Sequence, residues 1–220
     1  VTALPTLTIL IPTLGQRETV LRRLLGILLP QTEPHNGRVQ VMGWFNNGQP
    51  SLGEIRDGLV DASTTDYVTF VDDDDVVPGY YVQEVLRGLE HWPDKLGFPV
   101  ELYVRNRLQE TCDQSLRHTG WYRDARGVLC RDVVHIAPVR REIAAAGRFA
   151  VAAAGQAEDI AWVEQVRPLL HSEHYLPAVM YHYLYSPRSS AWRAPASITR
   201  GHPRPTVDHP HFRWHPASDP

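Results

Sequence analysis

Along the first half of the chain the spacing of apolar residues switches repeatedly between strand-like and helix-like. Leu7, Thr8, Ile9, Leu10 and Ile11 form a nearly unbroken apolar run closed by Pro12, the pattern of a strand buried in a parallel sheet. After an exit at Thr13, Leu14, Gly15, Gln16 and Arg17, the residues Val20, Leu21, Leu24, Leu25 and Leu28 recur at helical spacing. Arg22 and Arg23 turn outward, and Pro30 is expected to end this helix. A strand at 39–42, a turn at Asn46, Asn47 and Gly48, a helix at 52–62 and a strand at 67–71 follow. Alternating β and α elements predict an α/β fold with a doubly wound, mostly parallel sheet and helices on both faces.

Pro78 is placed to start a helix whose face carries Tyr81, Val82, Val85, Leu86 and Leu89, and 98–104 reads as a further strand. Residues 106–132 show no clear period. Helical patterns return at 139–146 and 159–170, and 178–185 reads as a last strand. From Ser186 onward prolines and histidines dominate and no period survives, so an extended arm or a partly disordered segment is expected there.

With 220 residues the chain suits one sizeable domain plus a tail. Its longest apolar runs fall short of the roughly 18 residues a membrane span needs, so no membrane insertion is expected. The numbered chain begins at Val1 rather than Met, which reads as a trimmed chain whose leader could be missing. Cys112 and Cys130 form no C-x-x-C pair; two free thiols in a reducing compartment, the cytoplasm, is the expectation. A formal charge of −3 hides an uneven distribution, because after residue 185 five arginines, Arg188, Arg193, Arg200, Arg204 and Arg213, face only Asp208 and Asp219.

The chemistry concentrates in Asp72, Asp73, Asp74 and Asp75, which follow an apolar strand directly. Four adjacent carboxylates repel one another, a cost that a divalent cation or ligand hydroxyls would relieve. Strand alternation would send Asp72 and Asp74 to one side and Asp73 and Asp75 to the other. They fall outside the carboxyl end of a strand, where open α/β sheets bind ligands. A charged turn with Asp75 as a helix cap is the plainer alternative. Phosphate-loop, G-x-G-x-x-G and G-x-S-x-G signatures are absent from the sequence, which removes support for kinase, dehydrogenase and serine hydrolase readings.

Ile11-Pro12-Thr13, Gly53-Glu54-Ile55-Arg56-Asp57, and the run from Asp66 through Phe70 and Val71 to the four aspartates together resemble the family-2 type of GT-A glycosyltransferases. The likeness implies a GT-A domain over 1–186, with a nucleotide-sugar half at 1–105, an acceptor half at 106–186 and a basic tail at 187–220. It implies an inverting hexosyltransferase that takes a nucleotide-sugar, with a UDP-sugar favoured, and uses Mn²⁺ or Mg²⁺. Carried onto this chain, donor contacts fall at Thr13, Leu14, Arg17, Asn46, Arg56, Asp72 and Asp73, and metal ligands at Asp74 and His182. Asn46-Asn47-Gly48 departs from the acidic turn of many relatives, which loosens the expectation of uridine.

Ala157-Glu158-Asp159-Ile160-Ala161-Trp162 resembles the family's E-D element, which makes Asp159 the general base. Asp159 shares a helical stripe with Trp162, Val163, Val166 and Leu170, so an inward carboxylate among apolar residues, made more basic by them, is expected. Helix capping by Glu158 and Asp159 is the competing reading.

The whole pattern, with His135, Pro138, Arg140 and Arg141, also looks like small bacteriophage glycosyltransferases, some of which modify hydroxymethylated pyrimidines in DNA. Arg188, Trp192, Arg193, Arg200, Arg204, Phe212, Arg213 and Trp214 would then let the tail track phosphates and stack on bases, in the host cytoplasm. Other readings stay open: transfer to a surface glycan or lipid carrier, a non-catalytic nucleotide or Ca²⁺ module, and a sugar nucleotidyltransferase. His209, His211 and His215 are left outside the site because they sit in a proline-rich terminus.

Overall fold

The structure, a computed structural model, describes residues 3–14, 17–35, 37–46, 50–152, 157–185 and 206–215. Strand β1 (Leu7–Leu14) is paired in parallel with β2 (Val39–Asn46) on one side and β3 (Tyr67–Phe70) on the other. The sheet order runs β11-β2-β1-β3-β8-β4-β5-β7-β6, with β9 and β10 also on β4. Here β4 is Lys95–Val104, β5 Arg107–Gln114, β6 Tyr122–Arg123, β7 Leu129–Arg131, β8 Val139–Arg140, β9 Glu173–Tyr175, β10 Tyr181–Tyr185 and β11 Phe212–Trp214. This mostly parallel α/β sheet with helices on both faces is the expected GT-A type of fold.

Alternation along β1 builds two cores. Leu7, Ile9 and Ile11 pack with α1 (Glu18–Thr32) and α3 (Tyr81–Leu89), while Leu10 joins the other face with α2 (Leu52–Ala62), α4 (Arg141–Ala146) and α5 (Glu158–Val166). All five residues of the face predicted after Pro78 are buried in α3. Helix α2 matches its predicted limits, and Ser51 with Glu54 closes a capping box at its start.

Two prolines do less than expected. Strand β1 continues through Pro12 to Leu14. Leu7 donates to Arg38 O on the β2 side, and Val71 donates to Leu10 O on the β3 side, so even-numbered amides of β1 point toward β3. Pairing with β3 ends at Leu10, and the amide that Pro12 lacks has no strand to serve. Pro30 lies inside α1, one turn from its end; its i−4 residue, Gly26, is exposed, so water can reach the carbonyl left without a donor.

Residues 107–131, which show no sequence period, supply β5, β6 and β7. Strands β4 and β5 form a hairpin through Arg105 and Asn106, both at positive φ (50° and 60°), the geometry of a type I′ turn. The first two residues of the predicted 139–146 helix instead form β8, wedged antiparallel between β3 and β4. The tail is not wholly an arm: β11 pairs with the edge of β2, Phe212 is buried, and Trp44 stacks on His215 at 3.8 Å. Gly43 permits this, since a Cβ there would lie 2.7 Å from the Trp214 ring. Cys112 and Cys130 are free thiols.

Candidate active site

Beyond β3 the chain turns rather than extends, with the Asp75 amide donating to Asp72 O at 3.1 Å. Burial nevertheless alternates through the four aspartates, leaving Asp72 and Asp74 partly open and Asp73 and Asp75 about 1% exposed. Each buried carboxylate is held by a distant element. Thr13 Oγ1 donates to Asp73 Oδ2 and Arg17 Nη1 to Asp73 Oδ1, both at 2.6 Å. Tyr181 on β10 donates its hydroxyl to Asp75 Oδ2, and the Leu184 amide donates to Asp75 Oδ1, both at 2.7 Å. The same phenol oxygen accepts the Asp72 amide at 3.1 Å, so Tyr181 anchors both ends of the turn.

Burial pushes the Asp73 carboxyl up to about 7 against the pull of Arg17 and Thr13. Burial, and then the negative charge of Asp72, push Asp75 well above the ordinary carboxylate range. Burial would raise Asp72 too, but Arg56 and His135 outweigh it and hold this carboxylate well below its usual value.

Arg56 is the central cation. Only 3% exposed, it donates to Asp72 Oδ1 at 3.0 Å and to Glu158 Oε1 at 2.8 Å, and its guanidinium lies over the rings of Phe70 and Phe149. Helix α5 is thereby tied to the aspartate turn. Its N-cap, Ala157, brings no side-chain acceptor, and Glu158 answers Arg56 rather than serving only the helix dipole.

A second link runs parallel to the first. His135, 9% exposed, stands with Nε2 3.5 Å from Asp72 Oδ2 and Nδ1 3.7 Å from Asp159 Oδ2. Both ring nitrogens are buried without a hydrogen bond at ordinary distance. Arg131 Nη2 lies 3.4 Å from Asp159 Oδ2, and its guanidinium sits 4.2 Å from the centroid of the Trp121 ring. The expectation of a more basic Asp159 among apolar residues is therefore corrected. Burial would raise this carboxyl, but His135, Arg131 and Arg56 outweigh it and hold it below its ordinary value.

Two cavities meet at Asp72 and Arg56. The smaller, about 110 Å³, is lined by Pro12, Arg17, Asp73, Asp74 and the 183–185 stretch of β10 as well. The larger, about 540 Å³, extends over β4, β5 and β7 and takes in Asp159, His135, Arg131 and Trp121. Asp72 thus faces both a small anionic niche and a larger, mostly apolar chamber with Asp159 on its wall.

The expected donor residues are distributed unevenly around this place. Asp72, Asp73, Asp74, Arg17 and Arg56 line the smaller cavity together. Thr13 and Leu14 are buried in β1, Thr13 spent on Asp73; Asn46 is buried at the end of β2, where its Nδ2 donates to Pro50 O at 3.1 Å. Arg17 also reaches Asp74, with Nη2 3.2 Å from Oδ2. His182 presents its ring to Glu101, Nδ1 to Oε2 at 3.0 Å, and edge-on to Tyr103, rather than to the aspartates. Gly15, Gln16, Asn47, Gly48 and the tail residues Arg188, Trp192, Arg193, Arg200 and Arg204 lie outside the described residues.

Sequence reasoning passed over Tyr181, Arg131 and Trp121. The period-two run Tyr181, Tyr183, Tyr185 was the available signal for the first. The arginine and tryptophan carried none: Arg131 reaches Asp159 from β7, and Trp121 lies against Arg131 on the wall of the same cavity. Phe212 and Trp214 are withdrawn from the proposed base-stacking set: Phe212 is buried, and Trp214 packs edge-on against Phe212 and Phe45.

No protein-family model and no curated protein matches the chain. Among solved structures, S. aureus TarS residues 1–349 superimposes with a TM-score of 0.59 at 16% identity, over 81% of this chain and 60% of that one. The same TarS fragment in complex with UDP-GlcNAc gives 0.58 at 16% identity, over 85% and 61%. Its complex with UDP gives 0.57 at 15% identity, over 84% and 62%. The chain spans about three fifths of the length of these fragments, and the likeness is one of fold.

Proposed function

We propose that the chain is an inverting glycosyltransferase that takes a nucleotide-sugar, a UDP-sugar in the first instance, and transfers the sugar to an acceptor hydroxyl. The observation that carries this reading is the position of Asp72, which opens on the small cavity of the aspartate turn and on the larger chamber holding Asp159. A donor bound at the first and an acceptor bound in the second would meet at that carboxylate. The fold shared with a protein crystallised with UDP and UDP-GlcNAc supports the choice of donor.

In this reading Asp159 accepts the acceptor hydroxyl's proton as that oxygen bonds to the anomeric carbon and the carbon–diphosphate bond breaks on the opposite face. Its depressed pKa keeps it ionised at neutral pH, and Arg131 and His135 orient it. Asp72 and Asp74 offer oxygen donors that fit a hard divalent cation, Mn²⁺ or Mg²⁺. His182 would join them only by leaving Glu101. A bound cation would supply neutralisation of the departing diphosphate.

For the acceptor, 5-hydroxymethylpyrimidine in phage DNA remains our candidate, supported now by Trp121 and Arg131 beside Asp159 rather than by the aromatic residues of the tail. Calorimetric titration with UDP-GlcNAc and related nucleotide-sugars, with and without Mn²⁺, tests the donor. Transfer to hydroxymethylated against unmodified DNA tests the acceptor; binding of no nucleotide-sugar would refute the enzyme reading, and equal inertness of both DNAs the acceptor.

A further inference from the structure

A second polar cluster lies on the β5–β6–β7 sheet, apart from the aspartate turn. Registered pairing sets Asp113 of β5 beside Cys130 of β7, and Cys130 beside Tyr122 of β6, so the three side chains share one face. His118, in the turn after β5, folds back over that face; its amide donates to Ser115 O at 3.0 Å. Its Nε2 lies 3.0 Å from Asp113 Oδ2, and one ligand atom from each of Asp113, His118 and Cys130 lies within 4.8 Å of the other two. His118 and Cys130 are 7% and 2% exposed.

We infer that Asp113, His118 and Cys130 form a binding site for a thiophilic divalent cation of the Zn²⁺ kind. The donor set is a thiolate, an imidazole nitrogen and a carboxylate oxygen, three ligand types zinc accepts at about 2.0–2.3 Å, with a fourth position left for water. The outer atoms of the ligands are already fixed. His118 Nδ1 lies 2.8 Å from the Tyr122 hydroxyl, and Asp113 Oδ1 accepts from the Tyr175 hydroxyl at 2.7 Å. Partners of this kind set the tautomer and orientation of metal ligands. On binding, Cys130 releases its thiol proton to solvent, and the His118 proton sits on Nδ1, facing the Tyr122 oxygen.

One group opposes the ion: Arg117 pairs with Asp113 Oδ2 while lying over the Tyr175 ring. Its side chain is 55% exposed, so it can leave the carboxylate without opening the core. A bound cation would replace Arg117 there and join β5, β7 and the turn that precedes β6. Trp121, just before β6, and Arg131, the last residue of β7, line the chamber of Asp159, so the ion would brace that wall.

The test is titration of the chelator-stripped full chain with Zn²⁺ against a chromophoric chelator, and with Co²⁺ followed by absorption. One ion per chain is expected, with a thiolate-to-cobalt charge-transfer band. Cys130→Ser should abolish the band and weaken Zn²⁺ binding by at least about tenfold, and His118→Gln should weaken it similarly. Arg117→Gln, at a side chain that is 55% exposed, should bind several-fold more tightly. Absence of stoichiometric Zn²⁺ binding would overturn the site. So would binding that Cys130→Ser and Arg117→Gln both leave unchanged, which would assign the ion to the histidines near the terminus.

Discussion

The hydroxyl of Tyr181 bonds Asp75 at 2.7 Å across 106 residues of sequence, and its oxygen also receives the Asp72 amide. One phenol on β10 therefore shapes the aspartate turn. Tyr181→Phe leaves a buried carboxyl and a backbone amide without this partner. A loss of about 1–3 kcal/mol in denaturant unfolding is expected, together with weaker donor binding; a neutral variant would show that the turn holds itself.

Arg56 is a buried strut between Asp72 and Glu158. Replacing it by Gln leaves Asp72 without its main counter-charge, and removing one partner of a buried pair costs about 3–5 kcal/mol. Urea titration of Arg56→Gln should show a loss of that order. A loss below about 1 kcal/mol would mean that water already solvates this pair.

Asp73 gives a pH signature of unusual sign. Its folded-state carboxyl is pushed up to about 7, whereas an unfolded aspartate titrates near 3.9. Between these values the folded chain holds the extra proton, so this group's contribution is complete below about 4 and is lost as pH rises toward 7. Asp73→Asn should flatten that part of the stability profile. An unchanged slope would mean that Arg17 keeps Asp73 ionised throughout.

Phe212 separates a docked strand from a free arm. It is the first residue of β11 and 8% exposed, and truncating a buried phenylalanine costs about 3–5 kcal/mol. Phe212→Ala is expected near the lower end of that range, because the site is at a sheet edge. A thermal melt identical to that of the parent chain would return these residues to the tail.

Where pattern follows local burial, the fold was legible. The β1 run, the five buried residues of α3 and the limits of α2 all follow from period and capping. Residues 107–114 did not read as a strand, because Arg107, Leu108 and Gln109 are exposed and the strand exists through its pairing with β4. Proline rules misled at Pro12 and Pro30, since the cost of a missing amide depends on what lies opposite it. At the candidate site the aspartate cluster was legible, and the expected division of Asp72 and Asp74 from Asp73 and Asp75 appears in their burial, although a turn rather than an extended strand produces it. The surroundings of Asp159 were invisible: Arg131 and His135 reach it from elements remote in sequence, and they reverse the shift expected from an apolar stripe.

In the proposed reaction one cleft joins a nucleotide-sugar at Asp72 to a base at Asp159. Its most direct test is UDP release from UDP-GlcNAc and related donors with Mn²⁺, measured for the parent chain and for Asp159→Asn beside the donor Kd of each. We predict turnover in the parent chain, slowed roughly 10²–10⁴-fold in Asp159→Asn with donor affinity retained. Turnover undiminished in Asp159→Asn, or a parent chain that binds no nucleotide-sugar, would rule this reaction out.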